Sequence, residues 1–166
     1  FPSVTLVGVV NADSSLSVPD FRASERTFDL IHQVAGRAGR YRDDGRVIIQ
    51  TSDPMAPAIR CAAENDLESF YRIEMKNRKD TLFPPYSRLV NLTVRGKSER
   101  CTREGAEEME RIAGELEGSY EDIEIFSASP SPVERKALYY RYHVLLRSVS
   151  PSSLLRFTGD LLSRIS

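Results

Sequence analysis

The sequence predicts an α/β protein built from two consecutive parts, a parallel-sheet part and then a small α/β domain. Two observations support this prediction. A strand, a helix and a second strand fit into the first 51 residues, and a β-α-β-β-α order follows the proline pair Pro84-Pro85. The chain has 166 residues, 40% of them hydrophobic, and a net charge of -1. This composition suits a globular protein and excludes a uniformly basic nucleic-acid coat.

The first part is predicted as a βαβ unit, which implies parallel strands. The uncharged, β-branched run at residues 4–10 predicts a strand buried on both faces. A helix over residues 21–34 places Phe28 and Ile31 on one face and is expected to break at Gly36 and Gly39. A second strand covers residues 46–51. Because a buried strand seldom opens a protein, we expect the chain to be a fragment of a longer one.

Two helices are predicted between the two parts. Pro57 suits the first turn of a helix that runs to about Asn65, and Asp66 can cap a second helix that runs through Lys79. Pro84-Pro85 then stops the helical pattern. We therefore predict three segments, with residues 1–55 as the parallel-sheet part, residues 56–85 as linker helices and residues 86–166 as the terminal domain.

The terminal domain is predicted as a small open sheet with helices packed against it. Its expected elements are a strand at residues 88–95, a helix at 99–117, a short strand at 123–126, a long strand at 139–147 and a helix at 150–165. Pro130-Ser131-Pro132 is expected to form the turn before the long strand. Alternation along that strand places Tyr142 and its even-numbered neighbours in the core.

The opposite face of the long strand carries basic and aromatic side chains. These predicted nucleic-acid-binding residues are Tyr139, Arg141, His143 and Arg147, with Arg135 and Lys136 just before them. Aromatic rings stack on unpaired bases while arginines neutralise phosphates. Nine acidic residues crowd positions 104–124, so a neutral total hides a local basic patch. The alternative is a solvated strand whose charges discourage aggregation.

The octapeptide QVAGRAGR at residues 33–40 is the strongest chemical motif. It places two guanidinium groups after a helix on a loop that contains glycine, and guanidinium binds phosphate through a planar fork. An arginine that reaches a γ-phosphate stabilises the charge that develops during phosphoryl transfer. The alternative is a helix C-terminus followed by a basic turn.

QVAGRAGR closely resembles motif VI of superfamily 2 helicases. Residues 1–13 and 20–40 look like the end of motif V and motif VI of the PriA (primosomal protein N′) family of replication-restart helicases. FYRIEMKNRKDTLFPPYSRL at 70–89 resembles that family's linker, and PSPVERKALYYRYHVLLRS at 130–148 resembles its terminal segment. The terminal domain of the family resembles a small-subunit ribosomal protein, and residues 1–55 would be the C-terminal part of its second RecA-like lobe.

The resemblance implies an ATP-dependent 3′→5′ DNA helicase that recognises stalled or forked DNA and restarts replication by primosome assembly. Carried onto this chain, Arg40 looks like the arginine finger, and Arg37 and Gln33 look like its companions. Gly36 and Asp13 would join the arginines in nucleotide binding, although a turn-forming role for Asp13 is an equal alternative. The family pattern has glycine where this chain has Leu138, which puts that turn geometry in doubt.

The chain lacks two sequence motifs that the motor of this family needs. A G-x-x-x-x-G-K-(S/T) phosphate loop and a DEAH-like box do not occur in the sequence. We therefore expect the longer protein to be an ATP hydrolase that uses ATP and Mg²⁺, and this chain alone to be inactive. The resemblance also implies zinc in the longer protein, with ligands that do not lie in this chain.

Two cysteines and two histidines give no pattern with metal-ligand spacing, so no metal site is predicted here. No apolar run is long enough to predict a membrane span, and a cytoplasmic location is expected. The partners that the resemblance implies are forked and single-stranded DNA, single-stranded-DNA-binding protein and other primosome proteins. Two alternatives stay open, a nucleic-acid-binding adaptor without motor activity and a RecG-like superfamily 2 helicase.

Overall fold

A computed structural model describes residues 5–38 and 45–165 of the chain. It divides into two compact units, residues 1–80 and residues 81–166. The predicted α/β class is confirmed, because each unit combines helices with strands. The predicted linker, residues 56–85, is split by this division, with its helices in the first unit and its proline pair in the second.

Over residues 5–38 and 45–80, the first unit holds a two-stranded parallel sheet and four helices. The elements are β1 (Leu6–Val9), α1 (Asp13–Leu16), α2 (Ala23–Ala38), β2 (Arg46–Ile49), α3 (Pro57–Ala63) and α4 (Leu67–Asp80). Strands β1 and β2 pair in parallel, with Val9 opposite Ile49, as the βαβ prediction requires. The side chains of Val9 and Ile49 pack against a core of which Phe28, Ile31 and Phe70 are members.

Two features of the first unit differ from the predictions. Leu6 and Ile48 are 58% and 60% exposed, so the described residues of this chain do not themselves supply the predicted cover on both faces of the sheet. Helix α2 also continues past Gly36 to Ala38, so the glycine does not end it. Gly36 is exposed, and a Cβ atom at this position would contact nothing. Its only cost to the stability of the helix is therefore the low intrinsic helix propensity of glycine.

The second unit, as described over residues 81–165, is a three-stranded antiparallel sheet with two helices on one face. Its elements are β3 (Arg88–Gly96), α5 (Glu99–Glu117), β4 (Glu124–Lys136), β5 (Tyr139–Ser148) and α6 (Pro151–Ile165), and the strand order is β3-β5-β4. The predicted β-α-β-β-α order is therefore confirmed. Val144 and Leu146 of β5 pack with Met109 of α5 and Phe157 of α6 to form the core.

The predicted turn at Pro130-Ser131-Pro132 is wrong. These residues lie inside β4, which is an edge strand with register shifts between Phe126 and Ser129 and between Pro130 and Arg135. Proline is tolerated there because an edge strand has one side without a hydrogen-bonding partner. The chain instead turns at Ala137 and Leu138, between the paired residues Lys136 and Tyr139.

Candidate nucleic-acid interface

The candidate interface lies on the face of the β3-β5-β4 sheet that points away from α5 and α6. Along β5, Tyr142, Val144 and Leu146 are buried, whereas the residues between them are only partly buried. The predicted assignment of the two strand faces is therefore confirmed. Because β3 and β4 flank β5, their side chains at matching positions extend the same face.

One end of this face is basic. Arg95 of β3 lies directly opposite Arg141 of β5, and the Arg95 guanidinium carbon lies 5.5 Å from the centre of the Tyr139 ring. Thr93, Arg95, Tyr139 and Arg141 line an open cavity of about 450 Å³. Among the described residues, neither arginine has a carboxylate within 4.0 Å. We call these four residues the basic platform.

Arg95 is absent from the sequence prediction. It lies near the end of a strand 46 positions before Arg141, and only the register of β3 on β5 brings the two arginines together. The alternation of β3 already indicated that Arg95 faces away from Val94 and the core. The pairing register could not be read from the sequence, because the partner strand of β3 was unknown.

His143 lies next to Arg141 along the same face and is partly buried. Its Nε2 is 3.5 Å from the Ser129 hydroxyl, and its buried Nδ1 has no hydrogen-bond partner in the described part of the chain. Burial, and secondly the positive charge of Arg141, lowers the pKa of His143. These surroundings therefore favour the neutral imidazole over the charged one.

Arg135 lies at the hairpin end of β4. It is paired with Tyr140, and its guanidinium carbon is 5.2 Å from the centre of the Tyr140 ring. Tyr140 points to the face opposite Tyr139, so Arg135 is not part of the basic platform. The backbone of Lys136 belongs to β4, but its side chain lies outside the description.

Unlike Arg95 and Arg141, Arg147 does not lie on an open basic surface. Its side chain is only 13% exposed and pairs with Glu124, with 2.8 Å between Nε and the carboxylate. Its Nη1 donates to the carbonyl oxygens of Thr81 and Leu82 at 2.6 and 3.3 Å. Alternation along the strand predicted the correct face, but it could not show that other chain segments occupy this guanidinium.

Arg147 also lies between two aromatic rings. Its guanidinium carbon is 5.3 Å from the centre of the Phe83 ring and 5.0 Å from that of Phe126. Phe83 belongs to residues 81–87, which we call the proline segment and which contains a cis peptide bond between Pro84 and Pro85. The buried Ser87 donates its hydroxyl to the Leu82 carbonyl oxygen at 2.7 Å. Arg147 thus fixes the proline segment to the sheet.

The motif at residues 33–40 is only partly described. Gln33 is exposed on helix α2, and Gly36 lies in the same helix rather than on a loop. The side chain of Arg37 and the whole of Arg40 lie outside the described residues. The roles predicted for these two arginines therefore stay predictions.

Asp13 connects the ends of the two parallel strands. Its carboxylate accepts hydrogen bonds from the Thr51 hydroxyl at 2.6 Å and from the Ser52 backbone N–H at 2.8 Å. These bonds, the one from Thr51 first, lower the pKa of Asp13. This geometry fits a local structural role for Asp13, which the sequence offered as the alternative to nucleotide binding.

The part of the linker-like segment that lies in helix α4, residues 70–80, also has a structural explanation. Arg78 pairs with Glu74 one turn earlier at 2.8 Å and with Glu25 of α2 at 2.9 Å. Although burial alone would lower the pKa of Arg78, the hydrogen bonds to Glu25 and Glu74 raise it. Phe70 of α4 stacks on Phe28 of α2, with ring centres 4.2 Å apart. The Arg78 ion pairs and the Phe70–Phe28 stack therefore join α4 to α2, the helix in which residues 33–38 lie.

The described residues contain neither a metal-binding cluster nor a membrane-spanning helix. Across residues 5–38 and 45–165, no three His, Cys, Asp or Glu side chains are grouped so that they can hold a metal ion. In the same ranges, every helix is too short or too polar to span a membrane.

Comparison with known proteins identifies the family. Residues 79–164, more than half of the chain, match the family described as Primosomal protein N C-terminal domain. The chain is 42% identical over 148 residues to Replication restart protein PriA of Bacillus subtilis, which covers 89% of this chain and 18% of that protein. It is 34% identical over 165 residues to the protein of the same name from Borreliella burgdorferi, which covers 99% of this chain and 25% of that protein. A third, from Treponema pallidum, is 51% identical over 106 residues, or 64% of this chain and 16% of that protein.

The chain thus spans a quarter or less of the length of these relatives. The matched region contains the proline segment, the three-stranded sheet, helix α5 and helix α6 as far as residue 164. The family match and the shared name of the relatives agree with the resemblance found in the motifs. This chain belongs to the Primosomal protein N C-terminal domain family.

Proposed function

We propose that this chain is the C-terminal part of a replication-restart DNA helicase, and that its second unit binds single-stranded DNA on the basic platform. The observation that carries the proposal is the position of Arg95 over the ring of Tyr139, directly opposite Arg141. Two like charges opposite each other on a sheet repel, which costs stability. A bound phosphate would relieve that repulsion by neutralising both charges.

The chemistry of the platform matches an unpaired nucleotide. Tyr139 is 39% exposed, and its ring can offer a base one stacking surface. Stacking of one base contributes about 1–3 kcal/mol and is tolerant of sequence. A duplex would hide its bases from such a ring, so the platform favours single strands.

The first unit is proposed to be the end of the second RecA-like motor lobe. Its parallel β1 and β2 strands, with the exposed apolar residues Leu6 and Ile48, support this proposal because such strands normally belong to a wider covered sheet. Arg40 is proposed as the arginine finger, with Arg37 and Gln33 beside it. ATP and Mg²⁺ would be held mainly by parts of the longer protein that this chain does not contain, and so would zinc.

The wider context is also part of the proposal. The longer protein would act on forked DNA together with single-stranded-DNA-binding protein and other primosome proteins in the cytoplasm. The names of the relatives support a role in replication restart. An adaptor without motor activity would share the basic platform but would not need QVAGRAGR.

DNA binding is tested with the complete 166-residue chain and a fluorescent oligothymidylate, by anisotropy at several salt concentrations. Affinity should fall with salt, with a slope of roughly -0.7 per phosphate neutralised. Arg95→Ala and Arg141→Ala should each flatten the slope, whereas Tyr139→Ala should weaken binding and leave the slope nearly unchanged. Arg100→Ala is the matched control, because Arg100 is an exposed arginine of α5 that is paired with Glu104. Binding that ignores both platform arginines would refute the proposed site.

The motor proposal needs the longer protein. There, Arg40→Ala should lower ATP turnover by ~10³ or more while ATP binding falls much less, as expected when charge stabilisation in the transition state is lost. The present chain alone should show no ATPase activity stimulated by DNA. Near-normal turnover of the variant would exclude Arg40 as the finger.

A further inference from the structure

Helix α2, in which residues 33–38 of the QVAGRAGR motif lie, is attached to helix α4 at two separate places. The first is the ion pair between Glu25, in the first turn of α2, and Arg78, near the end of α4. The second is the stack of the Phe70 ring of α4 on the Phe28 ring of α2. The two α4 residues lie outside the motif, yet both contact the helix that carries it.

The ring stack continues along α2 toward the motif. The ring centres of Phe70 and Phe28 are 4.2 Å apart with 7° between the planes, and those of Phe28 and His32 are 5.8 Å apart with 11° between the planes. Three nearly parallel rings therefore run from α4 to the residue directly before Gln33. Glu25, Phe28 and His32 follow an i, i+3, i+7 spacing, so they share one face of α2. A helix that is held at separate points along one face has little freedom to rotate or to slide.

The ion pair that Arg78 makes is directional and largely buried. The side chains of Arg78 and Glu74 are only 14% and 11% exposed. The Arg78 Nε donates to Glu74 at 2.8 Å and its Nη2 donates to Glu25 at 2.9 Å, so two carboxylates fix one planar guanidinium group. Burial of charged groups costs desolvation, and well-packed apolar side chains often join two helices at least as stably. What the ion pair adds is therefore a fixed geometry between α2 and α4.

We propose that Arg78 and Phe70 are positioning residues for ATP hydrolysis, because they fix helix α2, from which the QVAGRAGR motif reaches the nucleotide. The inference rests on the proposed motor function and makes α4 a working part of the motor rather than only a linker. A helix is a stiff rod that rises about 1.5 Å per residue, so a displacement at Glu25 or Phe28 is transmitted to Gln33. Misplacement of a catalytic group by about 1 Å can lower a rate on the order of a hundredfold.

The test measures DNA-stimulated ATP turnover by the longer protein that contains this chain. Glu25→Gln removes the ion pair between the helices and leaves the bond from Arg78 to Glu74 in place. Arg78→Lys keeps the charge but lacks the planar fork that holds two carboxylates at fixed angles. Each variant should lower kcat about tenfold and leave the KM for ATP within about twofold, since a group that acts only in the transition state changes kcat rather than ground-state binding.

Phe70→Leu tests the ring stack in the same assay. It keeps an apolar side chain but removes the ring, and it should also lower kcat with little change in KM. Arg72→Ala is the matched control, because Arg72 is an exposed arginine of the same helix whose Nη2 donates to Ser69 of α4 at 3.0 Å. It should keep the kcat of the wild type. Circular dichroism gives the folded fraction of each variant, to which kcat is normalised.

A double-mutant cycle separates positioning from a loss of folded protein. Arg40 follows Ala38, the last residue of α2, by two positions in the sequence. If Glu25→Gln acts through the motif, adding it to Arg40→Ala should lower kcat no further, because the group that it displaces is already missing. A loss of folded protein would instead multiply with the effect of Arg40→Ala.

The outcomes distinguish this inference from the proposed function. If Arg40→Ala turns over ATP almost normally, the proposed finger fails and the inference fails with it. If Arg40→Ala loses turnover while all three variants of the α2–α4 contacts keep the wild-type kcat, the motor proposal stands and the inference is overturned. Losses that multiply with that of Arg40→Ala, or an equal loss in Arg72→Ala, would also overturn it.

Discussion

Replacing Arg147 with alanine should destabilise the second unit strongly. The substitution removes the Nη1 donor to the carbonyl oxygens of Thr81 and Leu82 and the ion pair with Glu124. It also removes the guanidinium group from between the rings of Phe83 and Phe126. Because the side chain is only 13% exposed, water cannot easily replace these partners.

The size of the effect follows from the contacts. Loss of a charged donor costs about 1.5–3 kcal/mol. Each cation–π contact adds about 0.5–1 kcal/mol, and the ion pair, whose carboxylate is half exposed, adds at most about 1 kcal/mol. These contributions share one side chain and do not simply add. We expect the free energy of unfolding to fall by about 3 kcal/mol, which lowers the Tm on the order of 10–20 °C in a unit of this size.

The assay is thermal unfolding followed by circular dichroism, together with hydrogen exchange of the peptides that cover β5 and the proline segment. Arg141→Ala is the control, because Arg141 lies on the same strand and the same face but has no carboxylate partner among the described residues. It should change the free energy of unfolding by less than about 0.5 kcal/mol. If Arg147→Ala unfolds like the wild type, or if both variants are equally destabilised, the structural role of Arg147 is refuted.

Three further predictions concern the second unit. Glu110→Ala should cost about 1–2 kcal/mol, because the Glu110 carboxylate accepts the backbone N–H of Ala128 at 2.8 Å within the irregular part of β4; urea unfolding that matches the wild type would contradict this. Ala137→Gly should raise the Tm, by up to about 1 kcal/mol in stability, since glycine adopts a φ of 57° without a Cβ penalty, and a lowered Tm would show that the turn is not strained. Burial and Arg141 lower the pKa of His143, so folding favours the neutral ring, and stability should decline as the pH falls through the unfolded-state pKa of about 6.5. His143→Gln should remove that part of the pH profile, and an unchanged profile would show that this ring contributes nothing to it.

The elements with strong local signals could be predicted from the sequence. Helix α5 begins and ends at the predicted residues, Glu99 and Glu117, because Ser98 caps its first turn and an apolar stripe ends at Leu116. Strand β5 alternates as predicted because one of its faces is buried from Tyr142 onward. In such segments the local pattern and the tertiary environment favour the same structure.

The sequence predictions that failed did so for reasons that lie in the three-dimensional structure. The proline pair at 130 and 132 was predicted as a turn because proline cannot donate to a sheet ladder, yet β4 lies at the edge, where part of the ladder is not needed. Gly36 was predicted, together with Gly39, to break α2, but the helix continues through Gly36 to Ala38, because a single glycine costs a helix only about 1 kcal/mol. The platform residue Arg95 was missed because strand pairing joins positions that are far apart in the sequence.

The contrast between Arg141 and Arg147 shows what a charge pattern alone can and cannot establish. Both arginines lie on one face of β5, and both looked like phosphate ligands in the sequence. One of them faces another arginine, an arrangement that gains stability only when an anion arrives. The other is already neutralised by Glu124 and held between two rings, so an added phosphate would have to displace those partners. A loss of DNA binding after substitution of Arg147 would therefore report a damaged fold, whereas the same loss after substitution of Arg141, with the Tm unchanged, would report a lost phosphate contact. Stability and DNA affinity should therefore be measured on the same variants, because only the two together show which arginines of this strand bind phosphate.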